Sequence, residues 1–225
     1  AKTVVVRARG PSLTTAGVPG ALANPVLQLF AGAAQIAMND NWQEAANAAV
    51  VSSSGFAPSN PFEAAILATL TPGAYTAIVT GAGGLTGVGI VEVFEVDLPQ
   101  VPLANISTRG VVLTGDDVMI GGFIIQGDAP QTVIVRARGP SLAAAGVPNV
   151  LANPLLQLFS GATPVAMNDN WGDGTDAATI QAAGFAPAHA LESAIRVTLA
   201  PGAYTAIVTG VGGATGVGII EVFAQ

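Results

Sequence analysis

Most of this chain is written twice. TVVVRARGPSL begins at Thr3 and TVIVRARGPSL at Thr132, and the same offset of 129 residues carries Trp42 to Trp171 and Tyr75 to Tyr204. Aligned without a gap, residues 3–96 and 132–225 are identical at 61 of 94 positions. A self-similarity at one fixed offset restricts the fold to two copies of one unit. The expected organisation is a first repeat over 1–97, a linker over 98–102 and a second repeat over 103–225. The linker reads LPQVP, whose prolines favour extended backbone. The second repeat includes 103–131, a segment that occurs only once.

Within the second repeat the pattern is one of short β-prone runs. QTVIVRAR (131–138) alternates, with Val133, Val135 and Ala137 on one face and Ile134, Arg136 and Arg138 on the other. LLQLFSG (155–161) and TPVAMND (163–169) read as a hairpin. SAIRVTL (193–199), GAYTAIVTG (202–210) and TGVGIIEVF (215–223) read as three further strands. DVMIGGFIIQG (117–127) is a strand whose glycine pair suggests a bulge or bend. TDAATIQAAGF (175–185) is the best helix candidate, capped by Thr175 or Asp176 and ended by Gly184. Gly and Pro punctuate the chain about every 8–12 residues, which indicates an all-β fold: two tandem antiparallel β-sandwiches, each with one short helix.

LLQLFSGATPVAMNDNW followed by APGAYTAIVTGVGGATGVGIIEVF resembles the bacterial pre-peptidase C-terminal (PPC) domain. That family shows an apolar strand, an Asn/Asp-rich loop after a second strand, then PGxY and a closing Gly-rich hairpin. The LANISTRG…GGFII…RARGPSL part resembles tandem repeats of large bacterial surface proteins. Both resemblances imply secreted, jelly-roll-like β-sandwiches and neither implies catalysis; the PPC resemblance implies an accessory module. The helical-looking insert after MNDNW departs from the PPC pattern.

Charged residues make up only 9% of the chain and hydrophobic residues 51%, against about 25% charged in an ordinary soluble domain. No apolar run approaches the ~18–20 residues of a spanning helix, so membrane insertion is not expected. The remaining explanation is surface buried against other copies. A net charge of −7 with seven Lys and Arg argues against nucleic acid and against anionic membrane surfaces. There is no cysteine, hence no disulfide framework and no thiolate metal site. No signal peptide is visible, so an exported protein would be represented here in mature form. The expected location is extracellular, at the cell surface.

Several motifs invite a chemical reading. MNDNW (38–42 and 167–171) suggests a Ca²⁺ loop in which Asp169, Asn170, Asp173 and Asp176 supply hard oxygen ligands. The first copy offers Asn39, Asp40, Asn41 and Glu44. The competing reading, and the favoured one, is a turn whose side chains bond their own backbone, with no cofactor. Arg7 and Arg9, and Arg136 and Arg138, are expected to form structural ion pairs with Glu63 and Glu92, and with Glu192 and Glu221. GAGGLTGVG (81–89) and GVGGATGVG (210–218) lie between β-like runs, so they read as hairpin tips rather than phosphate loops. His189 is the single histidine and is Asn60 in the first copy, which leaves no duplicated triad. Tyr75 and Tyr204 are expected to be partly buried with their hydroxyls bonded to a loop. Trp42 and Trp171 are either core anchors or a glycan-stacking platform. Asn105-Ile106-Ser107 is a lone sequon, and Lys2 is the only lysine for a side-chain crosslink.

The single segment sets the functional expectation. Two sandwiches that each need a 103–131 equivalent have only one between them, and the first repeat opens within its unit at Ala1-Lys2-Thr3. Three readings follow: the missing strands lie upstream, the segment belongs to the second repeat and leaves the first open, or it fills a neighbour. The last two imply self-association, because exposed strand edges demand cover. A head-to-tail contact that does not close on itself grows a filament. The leading expectation is a non-enzymatic homopolymer subunit of an extracellular filament, pilus or surface layer. Its expected contacts are Val118, Ile120, Phe123, Ile124 and Ile125, with Val4, Val5 and Val6 at the truncated edge. The alternative is a secreted carbohydrate- or cell-surface-binding accessory module.

Overall fold

The computed structural model describes residues 1–97 and 102–225, so the expected linker at 98–102 lies outside the described residues except for Pro102. The chain forms two compact units, Ala1–Pro102 and Leu103–Gln225. Both are antiparallel β-sandwiches with a few short helices, as the strand pattern predicts.

In unit 1 one sheet has β1 (Lys2–Arg9) at its centre, between β4 (Ala64–Leu70) and β6 (Ile90–Glu95). The other has β2 (Pro25–Ala31) between β3 (Ala34–Asn39) and β5 (Tyr75–Gly81). Short helices α1 (Pro11–Thr15) and α2 (Ala48–Ser53) lie in the connections. Val4, Val6, Ala8, Leu27, Leu29 and Ile66 form the core between the sheets.

Unit 2 repeats this plan and adds two strands, β7 (Asn105–Val112) and β8 (Met119–Ile125), both from the single-copy segment. The remaining strands are β9 (Gln131–Arg138), β10 (Pro154–Ser160), β11 (Thr163–Asn168), β12 (Ser193–Leu199), β13 (Gly202–Gly210) and β14 (Gly216–Ala224). The sheets run β12-β9-β14-β7 and β11-β10-β13-β8. Successive strands change sheet at every step except the hairpin β10–β11, which is the order of an eight-stranded jelly roll. The structure therefore places the single-copy segment with the second repeat, β7 on β14 and β8 on β13. β8 approaches closely because of Gly121: a Cβ there would stand 3.1 Å from Ile220 Cγ2.

One expectation changes here. The Gly-rich stretches are not hairpin tips, since β5 and β6, like β13 and β14, belong to opposite sheets. Each stretch is a corner between sheets, and its glycines let the backbone press on a neighbouring loop. A Cβ on Gly216 would meet Leu151 N at 2.6 Å. Both faces that alternation gives β9 are covered near its middle. Val133, Ile134 and Val135 are all at most 2% exposed. Ile134 packs outward under α3 (Ala177–Ala182), with Ile180, Trp171 and Phe185. The insert after MNDNW thus builds a third layer over one sheet. Asp176 occupies the position before α3 but makes no side-chain cap hydrogen bond, and Gly184 follows its end at φ +78°.

A Cβ on Gly139, after β9, would lie 2.0 Å from the Leu151 carbonyl oxygen. Gly139→Ala is expected to destabilise unit 2 by about 3 kcal/mol or more through overpacking. Gly172→Ala, in open space, should change stability by less than about 0.5 kcal/mol. Urea denaturation of the two variants checks both.

Candidate functional site: the open edge of unit 1

The polar motifs resolve into internal fastenings. Arg7 and Glu92 are cross-strand partners on β1 and β6, as Arg136 and Glu221 are on β9 and β14. Glu92 accepts from Nε of both Arg7 and Arg9. Glu221 accepts from Arg136 Nε at 2.9 Å and from Arg138 Nε at 2.7 Å. These bonds hold the Arg138 guanidinium above its ordinary range, against the opposing effect of burial. Arg7 and Arg136 also donate to the carbonyls of Phe56 and Phe185, at 3.0 and 2.9 Å. Each lies over a β6 or β14 phenyl ring, 4.8 Å from Phe94 and 4.7 Å from Phe223. One arginine therefore ties two strands of a sheet to the layer above it.

Glu63 and Glu192 make no ion pair among the described residues, contrary to expectation. Both are fully buried. Each binds the backbone of the turn after the arginines: Glu63 accepts from Gly10 N and Ser12 N, and Glu192 from Gly139 N and Ser141 N, at 2.9–3.1 Å. Peptide donors take the place of the arginines because those are already held by Glu92 and Glu221.

MNDNW is a fastening too. Asn39 and Asn168 donate to the carbonyls two residues on and accept from Ala65 N and Ala194 N at 3.0 Å. This links β3 to β4 and β11 to β12 across the sandwich. Of the residues expected to bind calcium, Asp176 faces Arg196 at 3.8 Å, Asp169 accepts from Asn170 Nδ2, and the Asn170 carbonyl accepts from Asp173 N. Among the described residues no three or more acidic or histidine side chains gather into a metal-ligating group. Trp171 packs against the Ile134–Ile180 cluster. His189 Nδ1 accepts from Leu191 N, and Asn60 Oδ1 accepts from Phe62 N in the same place of unit 1. Tyr75 and Tyr204 donate to the carbonyls of Thr71 and Ala200, as expected, both at 2.9 Å.

What is left is the difference between the two units. On β13 and β14 the inward residues Tyr204, Ala206, Val208, Ile220 and Val222 are buried, closed by β7 and β8. Their counterparts Tyr75, Ala77, Val79, Val91 and Val93 are only half-buried, because among the described residues β5 and β6 are edge strands. The lost partner also shortens them: β13 and β14 have nine residues each, β5 seven and β6 six. Leu85, Val88 and Ile90 stand exposed beside this edge. The edge presents unpaired peptide groups beside apolar side chains, which is the chemistry that a further β-strand satisfies.

The structure redistributes the expected contact residues. Val4, Val5 and Val6 lie on β1, which is flanked on both sides, and are at most 2% exposed. They are core residues, and the open edge is on β5 and β6 instead. Ile125 is buried against β13 and Phe123 stacks on Tyr204 with ring centroids 5.7 Å apart. Val118 is half-buried. Ile120 and Ile124, at 56% and 65% exposure, point away from the core. Sequence reasoning also missed β7 and its inward anchor Val112, which is fully buried.

No protein-family model matches the chain, and no curated protein matches it. No helix among the described residues is long and apolar enough to cross a membrane.

Glu221→Gln should lower the stability of unit 2 by about 2 kcal/mol by weakening charge-assisted bonds to two arginines, measured by chemical denaturation. In hydrogen exchange, β5 and β6 should exchange faster than β13 and β14 despite their near-identical sequence, because one edge of each lacks a ladder.

Proposed function

We propose that this chain is a structural, non-enzymatic subunit of an extracellular filament, pilus or surface layer, assembling head to tail by β-strand complementation. The observation that carries this reading is the β5–β6 edge of unit 1, whose counterpart in unit 2 is covered by two strands. A sandwich edge of this kind attracts strands from other chains unless it is covered. Two further observations support association. Only 9% of residues are charged. Large apolar side chains also stand exposed on the second sheet of each unit, Ile36, Met38 and Ile78 in unit 1 and Ile120, Ile124 and Met167 in unit 2. Exposed apolar patches of this kind mark surfaces that meet other protein.

Light scattering on a gel-filtration column, followed by electron microscopy of the peak, tests the proposal. Material of high mass with a regular repeat is the expected result. A single species at the 22.2 kDa of one chain, unchanged on concentration, would overturn it.

A further inference from the structure

The open edge has a known occupant in the other half of the same chain. β7 pairs with Gly216–Phe223, and β8 with Gly202–Val208. The corresponding stretches of unit 1, 87–94 and 73–79, are identical at 14 of these 15 positions, and Val91 replaces Ile220 at the other. The side chains that receive β7 and β8 are therefore duplicated almost without change. A shallow hollow at the end of the edge is lined by Leu22, Val79, Gly81, Leu85 and Gly87. In unit 2 the counterparts Leu151, Val208 and Ala214 pack in one cluster with the buried Val112. The hollow thus matches the place of one donor side chain.

We propose that β5 and β6 of unit 1 accept the β7–β8 strand pair of a second copy, in the register this pair already holds on β13 and β14. This rests on the assembly reading and specifies its partner. The register sets Val111 of the incoming copy opposite Val88, and Phe123 opposite Tyr75, as Val111 and Phe123 stand opposite Val217 and Tyr204. The inward anchors are Val112, Met119, Phe123 and Ile125. Insertion is an exchange, because the described residues hold one such strand pair and two surfaces that fit it. A neighbour that donates its pair opens its own unit 2. A free peptide of the same sequence has no such competing site to leave, so it should occupy unit 1 directly.

The chain contains no cysteine, so single introduced thiols report the register. Val88 and Val111 are 37% and 60% exposed, so neither is part of the buried core. Val88→Cys chains are mixed with Val111→Cys chains and oxidised, with Leu113→Cys chains as a partner that is also exposed, at 44%, and lies outside β7. In parallel, a synthetic peptide of residues 103–127 is added to the full chain, with a Val111→Cys form to locate it. The expected results are disulfide-linked pairs of Val88→Cys with Val111→Cys at least tenfold over Val88→Cys with Leu113→Cys, suppressed by the unmodified peptide. The peptide should bind one per chain and crosslink at Val88→Cys. A peptide that does not bind overturns the inference, whatever the scattering shows. Equal crosslinking of both pairs within a polymer also overturns it and sends assembly to another surface. Chains that stay monomeric yet bind the peptide overturn the second-copy occupant and the assembly reading together.

Discussion

The structure depends on the closing of a sandwich edge. Two sheets can hide their inward side chains only if the outermost strands also find partners, because an edge strand carries unpaired peptide groups and half-covered apolar side chains. In unit 2 the pair β7–β8 supplies both partners at once, one strand to each sheet. In unit 1 the same acceptor surface stands open among the described residues. Burial of Tyr204, Ala206 and Val208, and the nine-residue length of β13 and β14, follow from that one addition.

Around the edges the two units are held alike. An arginine on the central strand is gripped by a glutamate on the neighbouring strand, stacked on a phenyl ring and bonded to a carbonyl of the insert. A second, buried glutamate holds the turn that follows through peptide donors. Asn39 and Asn168 join the sheets at the far side. In a chain with so few charges, most of them are engaged internally. These fastenings are the same in both units, so they cannot explain why one edge is open; strand supply does.

Much of this was legible in the sequence. The offset of 129 residues defined the units, and alternation and turn residues located β9, β12 and β13 to the residue. The Arg–Glu pairs at Glu92 and Glu221 were legible as types. The roles of Glu63 and Glu192 were not, because a carboxylate that binds a turn 53 or 51 residues away leaves no local signature. β7 escaped notice because NISTRGVV mixes polar residues into a strand that is wet on one side. The expected edge at Val4–Val6 was misplaced because proximity to a chain end says nothing about position in a sheet.

The sequence by itself determined the duplication, most of the strand content and the single occurrence of residues 103–131. Each is local or a matter of counting. Only the tertiary structure decided which repeat takes the single strand pair, which edge stays open and which way Phe123 and Ile124 face. Residues 73–94 and 202–223 match at 19 of 22 positions yet differ in strand length and burial. The physical reason is that a strand's ladder and its cover come from residues distant in sequence, so the same local sequence has two outcomes according to what lies beside it.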